Sequence, residues 1–228
     1  MEKINKLQFK LNKIYYYLFK ERFDKKIDFD FPHDVNRWDL IQKLINSNNF
    51  KNYLEIGCDG DDSFSKIRVE NKVGVDPYSG GNFRGTSDYF FSINNNKFDC
   101  IFIDGLHEYS QVYKDIKNSL DVLTDNGIIL LHDCLPKSMK QQAVPRFQWV
   151  WNGDVWKSIV KFRCRNDLDI VTCKIDHGIS IIRKINNKDP LLLDIKNFKE
   201  LKFKDFYYNH IKYMRILEYE KLIEYIKD

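Results

Sequence analysis

Four short apolar runs constrain the fold of this chain more than any other feature of its sequence. Each run is mostly apolar on both faces and is followed by a glycine, an aspartate or a His-Asp pair. The runs occupy residues 53–56, 72–75, 98–103 and 127–131. Strands that are buried on both faces are typical of a parallel sheet covered by helices. The sequence therefore predicts an α/β fold with these runs as central strands.

The segments around these runs predict helices and one hairpin. Helices are predicted at about residues 36–47 and 107–123, the second with one apolar face and a stop at 125–127. Residues 169–174 and 178–183 predict two strands whose short connection excludes a helical crossover, so the pair is an antiparallel hairpin. A last helix is predicted with an apolar side formed by Tyr213, Ile216, Tyr219, Ile223 and Ile226.

The N-terminal segment combines an apolar stripe with positive charge. The stripe residues Ile4, Leu7, Leu11, Ile14 and Leu18 recur at steps of three and four, which predicts an amphipathic helix. Residues 1–26 carry eight Lys or Arg against three Asp or Glu, a net charge of +5, whereas the whole chain carries +4. One interpretation packs the stripe on the body or in a homodimer. The other is a peripheral contact with an anionic membrane or a phosphate-linked glycan precursor.

Composition excludes several classes of protein. Hydrophobic residues make up 43% of the chain and aromatic residues 15%, which excludes disorder over most of its length. No apolar run approaches the roughly 20 residues of a membrane-spanning helix. The N-terminus lacks the apolar region of a signal peptide, which predicts a soluble cytoplasmic protein. The five cysteines form no CxxC pair, which argues against a zinc site and a disulfide framework.

The first βα turn indicates a nucleoside ligand. Gly57 lets the backbone pass close to a ligand, and Asp76, after the second strand, can accept hydrogen bonds from both ribose hydroxyls. The dinucleotide fingerprint is incomplete, because Asp59 and Asp62 stand at two of its glycine positions and would repel a pyrophosphate. A nucleoside with a cationic group and no phosphate, such as S-adenosylmethionine, fits better. A purely local loop role for these residues is the alternative.

Several segments carry a resemblance to a known family. They are Tyr-Leu-Glu-Ile-Gly at 53–57, Val-Gly-Val-Asp-Pro at 73–77, Thr-Ser-Asp at 86–88, Phe-Asp-Cys-Ile-Phe-Ile-Asp-Gly-Leu-His at 98–107 and Gly-Ile-Ile-Leu-Leu-His-Asp-Cys-Leu-Pro at 127–136. Together they resemble class I S-adenosylmethionine-dependent methyltransferases, and more narrowly the bacterial branch related to macrocin-type sugar O-methyltransferases and glycan-locus methyltransferases. Gly-Asp-Val-Trp-Lys at 153–157 and Asp-His-Gly at 176–178 are similar to that branch as well. Asp61-Asp62 departs from it, since relatives often carry further glycines there.

The resemblance covers about residues 50–185 and implies a fold and a domain organisation. The fold is a Rossmann-like class I methyltransferase fold, with a mostly parallel seven-stranded sheet, a C-terminal antiparallel hairpin and helices on both faces. The expected parts are a basic amphipathic helical extension at 1–35, an S-adenosylmethionine-binding methyltransferase domain at 36–186 and a C-terminal helical extension at 187–228. An aromatic, lid-like insert is expected at about 135–160.

The resemblance also implies a cofactor site. Its residues are Glu55 and Gly57 on the methionine and ribose side, Asp76 at the ribose hydroxyls, Ser87 and Asp88 at the adenine, and Asp104 facing the sulfonium and the acceptor. Each of them lies at the carboxyl edge of the predicted sheet, where open α/β folds bind ligands.

Two carboxylates and two imidazoles form a second group at the strand ends. Asp104, His107, His132 and Asp133 converge if the strands that precede them are neighbours. Asp104 and Asp133 could hold Mg²⁺, which would bind sugar hydroxyls and lower the pKa of one of them. His107 or His132 could instead act as a general base without a metal. Capping of a helix and a turn is the structural alternative.

These features predict an O-methyltransferase acting on a small-molecule or sugar acceptor, with no nucleic-acid partner. The expected acceptor is a sugar hydroxyl in a surface glycan or its nucleotide-activated precursor. Trp149, Trp151 and Trp156 could form a lid that stacks on a sugar ring, with Arg146 at a phosphate or carboxylate, or they could pack as a satellite core. An NAD-type oxidoreductase on a related sheet and a non-catalytic S-adenosylmethionine-binding module are the alternatives.

Overall fold

A computed structural model describes residues 5–227 of the chain as strands and helices around one mixed sheet. The strands are β1 (Asn52–Ile56), β2 (Asn71–Asp76), β3 (Phe83–Arg84), β4 (Phe98–Ile103), β5 (Leu123–Leu131), β6 (Asp169–Cys173), β7 (Ile179–Arg183) and β8 (Ile216–Leu217). The helices are α1 (Lys6–Phe19), α2 (Arg37–Asn48), α3 (Ser87–Ile93), α4 (Tyr109–Val122), α5 (Met139–Gln142), α6 (Trp156–Phe162), α7 (Phe203–Met214) and α8 (Tyr219–Lys227).

The sheet is parallel at its centre and antiparallel towards one edge. Its strand order is β3-β2-β1-β4-β5-β7-β6-β8. β1 pairs in parallel with β2 and β4, β4 pairs in parallel with β5, and β7 runs antiparallel to both β5 and β6. The predicted α/β fold, its central strands and the hairpin are therefore confirmed. The predicted number of seven strands is wrong, because β8 adds an eighth strand in parallel beside β6.

Two apolar layers cover the faces of the sheet. One layer joins α2 to alternate strand residues and contains Leu40, Ile41, Leu44, Ile45, Tyr53, Cys100 and Phe102. The other joins α4 and α6 to the remaining strand residues and contains Leu54, Ile101, Ile129, Val112, Ile116, Trp156 and Ile159. Successive residues of a strand point to opposite faces, so a strand covered on both sides is apolar throughout. This double cover explains the continuous apolar runs of the sequence.

The last predicted helix is two helices separated by a strand, so the prediction of one closing helix is wrong. α7 ends at Arg215, which has a φ of +47°. The N–H of Thr172 donates to the carbonyl of Arg215 (3.2 Å) and the N–H of Lys174 donates to that of Leu217 (2.9 Å). These bonds satisfy the edge of β6, which a continuous helix would leave open. The side chain of Ile223 lies outside the described residues.

The N-terminal helix is present, but its apolar stripe does not pack on the body, which is one of the two partners that the packing interpretation allows. Packing in a homodimer stays a prediction. Leu7, Leu11, Ile14 and Leu18 of α1 are 52–65% exposed. The opposite side of the helix contacts residues 146–149. The contacts are those of the Phe9 ring with the Trp149 ring (5.0 Å between centroids), the Tyr16 ring with the Phe147 ring (5.5 Å) and the Asn12 amide with the carbonyl of Arg146 (2.7 Å). Aromatic and amide contacts therefore orient the helix. Ile4 lies outside the described residues.

Two expectations from composition can be compared with residues 5–227. No helix in that range is long and apolar enough to cross a lipid bilayer. The five cysteines are free thiols, and four of them are buried. Burial raises the pKa of the Cys100 thiol, which therefore stays protonated and inert.

Candidate active site

The carboxyl ends of β1, β4 and β5 lie side by side. The N–H of Asp104, after β4, donates to the carbonyl of Ile56 at the end of β1 (2.8 Å), and the N–H of His132 donates to that of Ile103 (3.1 Å). Gly57 has a φ of +87°, and a Cβ at this position would lie 2.2 Å from the carbonyl oxygen of Asp104. Glycine is the residue that permits this close approach. The predicted neighbouring strand ends are confirmed.

The structure brings the four predicted residues Asp104, His107, His132 and Asp133 into one cluster. Oδ1 of Asp104 lies 3.2 Å from Nε2 of His107 and 3.0 Å from Nδ1 of His132. Oδ2 of Asp133 lies 3.1 Å from Nδ1 of His107 and 3.5 Å from Nδ1 of His132. His132 and Asp133 are both buried. The two carboxylates and the two imidazoles therefore alternate at hydrogen-bonding distance.

Both imidazoles face acceptors at both of their ring nitrogens. Nε2 of His132 lies 2.8 Å from the carbonyl oxygen of Asp176, and its Nδ1 faces Asp104. Nδ1 of His107 lies 3.2 Å from the carbonyl oxygen of Trp151, and its Nε2 faces Asp104. A ring nitrogen that bonds to a carbonyl or carboxylate oxygen must carry a proton. This geometry favours the doubly protonated, positively charged form of both rings.

Burial and charge act on these groups in opposite directions. Burial would lower the pKa of His132, but the charges of Asp104 and Asp133 raise it well above its ordinary value. The pKa of His107 is also raised, because the charge of Asp133 and the hydrogen bond to Asp104 outweigh burial. Burial would raise the pKa of Asp104, but the charge of His132 and bonds from both rings hold it well below its usual range. The carboxylates and the imidazolium ions thus stabilise one another.

Sequence reasoning missed three polar residues that border the cluster. Arg37, at the start of α2, places Nη1 3.0 Å from Oδ2 of Asp176 and Nε 3.8 Å from Oδ2 of Asp104. Nδ2 of Asn152 donates to Oδ1 of Asp133 at 2.9 Å. Asp176 belongs to the Asp-His-Gly segment, so a sequence signal for it existed. Arg37 and Asn152 carry no comparable signal, because tertiary folding alone brings them to the site.

The aromatic insert separates into exposed, stacked and buried parts. Trp149 is 69% exposed, and Trp156 is fully buried against the rings of Phe206 and Tyr213. Trp151 stacks on His107, with ring centroids 5.3 Å apart. Trp156 is therefore part of the core, while Trp151 is the tryptophan of the insert that touches the cluster.

The Gly-Asp-Val-Trp-Lys segment supports the backbone of His107. Gly153 has a φ of +64°, and a Cβ there would lie 1.7 Å from the carbonyl oxygen of His107. The N–H of Asp154 donates to that same carbonyl (3.2 Å), and Oδ1 of Asp154 accepts from the N–H of Tyr109 at the start of α4 (2.6 Å). Lys157 pairs with Oδ2 of Asp154 at 3.0 Å. The segment therefore positions His107.

Glu55 is a buried acid on the predicted cofactor side. Its carboxylate oxygen Oε2 accepts a bond from the hydroxyl of Tyr53 at 2.6 Å. Burial raises the pKa of Glu55 to about 8, although the hydrogen bond from Tyr53 acts to lower it. The carboxyl is therefore protonated at neutral pH.

Asp76 is held by the loop that it begins. Its Oδ1 accepts from the N–H groups of Tyr78 (2.8 Å) and Ser79 (2.9 Å), and its Oδ2 accepts from that of Asp59 (3.0 Å). Burial would raise the pKa of Asp76, but these three bonds lower it. A carboxylate offers about four acceptor positions, so about one position remains available for a ribose hydroxyl.

Ser87 and Asp88 lie at the start of α3 and contact α4. Nε2 of Gln111 donates to Oγ of Ser87 (3.2 Å) and to Oδ1 of Asp88 (3.0 Å). Lys114 pairs with Oδ2 of Asp88 at 3.1 Å. Asp88 is therefore bonded to α4. The predicted contact of Ser87 and Asp88 with adenine stays a prediction.

The cluster also offers a donor set for a divalent cation. Asp104, His107 and Asp133 each present one ligand atom, and these atoms all lie within 4.8 Å of one another. Oδ1 of Asn152, next to Asp133, is buried without a hydrogen-bond partner. Carboxylate and amide oxygens are ligands that Mg²⁺ prefers. The residues fit such an ion if His107 gives up a proton.

Comparisons with known proteins agree with the fold. A family model described as a methyltransferase domain matches residues 54–134. No curated protein sequence matches the chain. The S-adenosylhomocysteine-bound methyltransferase PaMTH1 of Podospora anserina has a TM-score of 0.52 at 16% identity, over 82% of this chain and 99% of that one. The O-methyltransferase TomG of Streptomyces achromogenes, solved with S-adenosylmethionine, has a TM-score of 0.50 at 10% identity, over 81% and 100%. Residues 54–134 therefore resemble a methyltransferase domain, and the chain shares the fold of these structures.

Proposed function

We propose that this protein transfers a methyl group from S-adenosylmethionine to a hydroxyl of a sugar, in a surface glycan or its nucleotide-activated precursor. The observation that carries the proposal is the cluster of Asp104, His107, His132 and Asp133 at strand ends in the part of the chain that matches a methyltransferase domain, with His132 and Asp133 buried. Open α/β sheets bind their ligands at this edge. The cluster supplies the charged and titratable groups that removal of a hydroxyl proton requires.

The turns after β1 and β2 support S-adenosylmethionine as the cofactor. When bound, it supplies the methyl group from a positively charged sulfonium. Gly57 brings the backbone close to the ligand, and Asp76 keeps acceptor capacity for the ribose hydroxyls. Glu55 is neutral when no cation lies beside it. A neighbouring cation would lower its pKa and favour its ionised form. The acidic turn is therefore matched to a cationic nucleoside.

We assign removal of the acceptor proton to His107. Two carboxylates hold the ring in place, and a stacked Trp151 restricts its rotation. Its pKa is raised, whereas that of His132 is raised well above its ordinary value, so His107 loses its proton at the lower pH. The nitrogen that has lost its proton would then accept the proton of a bound hydroxyl, while the methyl group would pass from sulfur to that oxygen and S-adenosylhomocysteine would leave with the S–C bonding electrons. Turnover should rise with pH as His107 deprotonates.

A metal-assisted route uses the same residues differently. Asp104 and Asp133 would hold Mg²⁺, joined by His107, and the bound ion would lower the pKa of a coordinated hydroxyl. Treatment with a chelator separates the two routes. Full turnover after chelation supports His107 as the base, and loss of turnover that Mg²⁺ restores supports the metal.

Two features near the cluster support a sugar acceptor. The Trp151 ring lies 5.3 Å from the His107 ring and 5.4 Å from the Arg146 guanidinium, and aromatic side chains next to polar groups commonly line ligand sites. Nδ1 of His177 and Oδ1 of Asn152 are buried without hydrogen-bond partners. Buried polar atoms are nearly always bonded in proteins, so these atoms suit a ligand that carries several hydroxyls.

The test is formation of S-adenosylhomocysteine with a panel of hydroxyl acceptors. The panel contains free hexoses, nucleotide-activated sugars and, as a non-sugar control, catechol. We expect turnover with at least one sugar and none with catechol. Turnover with catechol alone would retain methyl transfer and reject the sugar class.

Thermal shift separates the methyltransferase from the alternatives. S-adenosylhomocysteine should raise the melting temperature and NAD should not, because the turn repels a pyrophosphate. A shift with NAD alone would support an oxidoreductase. A shift with S-adenosylhomocysteine and no turnover on any acceptor would support a non-catalytic binding module.

A further inference from the structure

The outward face of α1 is an apolar surface that no described part of the chain covers. It is formed by Leu7, Leu11, Ile14, Tyr15, Leu18 and Phe19, which are between 43% and 71% exposed. Contiguous exposed apolar patches of this kind mark interaction sites in soluble proteins. The opposite side of the helix is fixed to the insert through Phe9, Asn12 and Tyr16. The apolar face is therefore held outward by packing behind it.

The charge of α1 has a single sign. The helix contains Lys6, Lys10 and Lys13 and no acidic residue. At 100° per residue, these three lysines lie on one flank, between the apolar face and the side that packs on the body. Lysines in this position can extend their ammonium groups to the boundary of an apolar phase. The flank is suited to anionic groups that border an apolar surface.

A basic cleft of about 400 Å³ continues the flank beyond the end of α1. Its cationic residues are Lys20, Arg22, Lys202 and Lys204. The acid in its lining is Glu21, whose two oxygens accept the N–H groups of Phe203 and Lys204 at 2.8 Å. Glu21 is therefore bound to the first turn of α7. The cleft presents four cationic side chains beside the exposed apolar face.

We infer that α1 and the basic cleft dock this protein on an anionic lipid surface. The apolar face would enter the boundary between headgroups and acyl chains, and the lysines would lie at the level of the lipid phosphates. A second copy of the chain is a poorer occupant. Pairing two α1 helices through their apolar faces would bring lysines near lysines without any acid of the helix to compensate. Charge complementarity favours the lipid.

Vesicle sedimentation tests the inference. The full chain is mixed with vesicles of phosphatidylglycerol or of phosphatidylcholine, and its mass is measured by light scattering without vesicles. We expect at least about tenfold tighter binding to the anionic vesicles, since each basic residue near such a surface adds about 1 kcal/mol. The double variants Leu11→Glu with Ile14→Glu and Lys10→Glu with Lys13→Glu should each weaken that binding by about tenfold or more.

A control variant outside α1 tests added negative charge alone, with a charge change of −3 that lies between the −2 and −4 of the two test variants. Leu192→Glu with Lys117→Glu changes one exposed apolar residue and one exposed lysine outside α1 and the cleft. It should bind the anionic vesicles like the wild type. Equal binding of all variants, or no binding of the wild type, would overturn the inference. A wild-type dimer that Leu11→Glu with Ile14→Glu converts to a monomer would assign the face to a second copy instead.

Discussion

At the scale of single residues, one oxygen of Asp104 touches both imidazoles of the cluster. Oδ1 lies 3.2 Å from His107 and 3.0 Å from His132, so its charge helps decide whether each ring keeps its proton. Replacing the carboxylate by an amide would remove that charge and lower the pKa of both rings. The protonation of the cluster is therefore a shared property of these residues.

Asp104→Asn should lower turnover far more than it changes folding stability. We expect a loss of about 10²- to 10⁴-fold, the usual contribution of positioned acid–base groups. Initial rates across a range of pH, together with thermal melts, measure both effects, because the substitution also lowers the pKa of both rings. Asp167→Asn, at an exposed position paired with Arg165, is the control and should leave the rate unchanged. Wild-type turnover of Asp104→Asn would remove Asp104 from the mechanism.

Asp76→Ala should weaken binding of S-adenosylhomocysteine by about 1–3 kcal/mol, because the charge-assisted hydrogen bond that we expect to the ribose would be lost. Calorimetry measures the affinity. The same carboxylate holds three backbone N–H groups of its loop, so part of the loss could come from the loop. Ser79→Gly keeps the carboxylate and removes only a neighbouring side chain of that loop. Unchanged affinity of Asp76→Ala would place the ribose elsewhere.

At the scale of secondary-structure elements, the turn before α6 packs closely against the backbone of His107. Gly153→Ala would place a Cβ 1.7 Å from the carbonyl oxygen of His107, in a residue with a φ of +64°. We expect a loss of roughly 1–3 kcal/mol in the free energy of unfolding and a lower turnover, because His107 is displaced. Denaturant melts measure the first effect. Gly60→Ala, whose Cβ would meet no atom within 4 Å, should be near neutral in stability.

Elements whose burial is set locally were predicted well from the sequence. The apolar runs of β1, β2, β4 and the second half of β5 and the apolar face of α4 define these elements by pattern alone. β5 also extends back to Leu123 through the exposed Asp125 and Asn126, where the sequence predicts a stop. The C-terminal segment was not predicted correctly, because Ile216 and Leu217 pair with the edge of β6, which would otherwise be open. The side on which α1 packs was also missed, because Phe147 and Trp149 come from a distant loop.

At the scale of the whole molecule, three buried groups make stability depend on pH in the same direction. The pKa of Glu55 is raised to about 8 in the folded state, and those of His107 and His132 are raised as well. Each group therefore binds a proton in the folded chain that the unfolded chain has released. Stability falls with rising pH wherever the folded state holds more protons.

We therefore expect the free energy of unfolding to decrease as pH rises from about 5 to 9. Glu55 contributes between its unfolded pKa of about 4.3 and its folded pKa of about 8. The histidine contributions are complete below about pH 6.5 and are lost as pH rises through their raised folded pKa values. Each group changes stability by at most about 1.4 kcal/mol per pH unit. Denaturant melts across this range measure the slope, which Glu55→Gln should reduce.

The candidate site was predictable where it depends on strand ends and not where it depends on tertiary folding. Asp104 and Asp133 follow neighbouring parallel strands, so topology alone brings them together. Arg37 reaches the cluster from α2 and Asn152 from the long insert, and no spacing in the sequence encodes those distances.

The insert that carries Trp151 has α1 packed against it, through Asn12 at Arg146 and Phe9 at Trp149. A loop of this length would otherwise sample many conformations, and a ligand would have to reduce them on binding. Because α1 already restricts the loop in the folded chain, the conformational entropy of the loop is lost during folding and not when the ligand binds. A chain without α1 should therefore keep its chemistry but require a higher acceptor concentration to reach half its maximal rate.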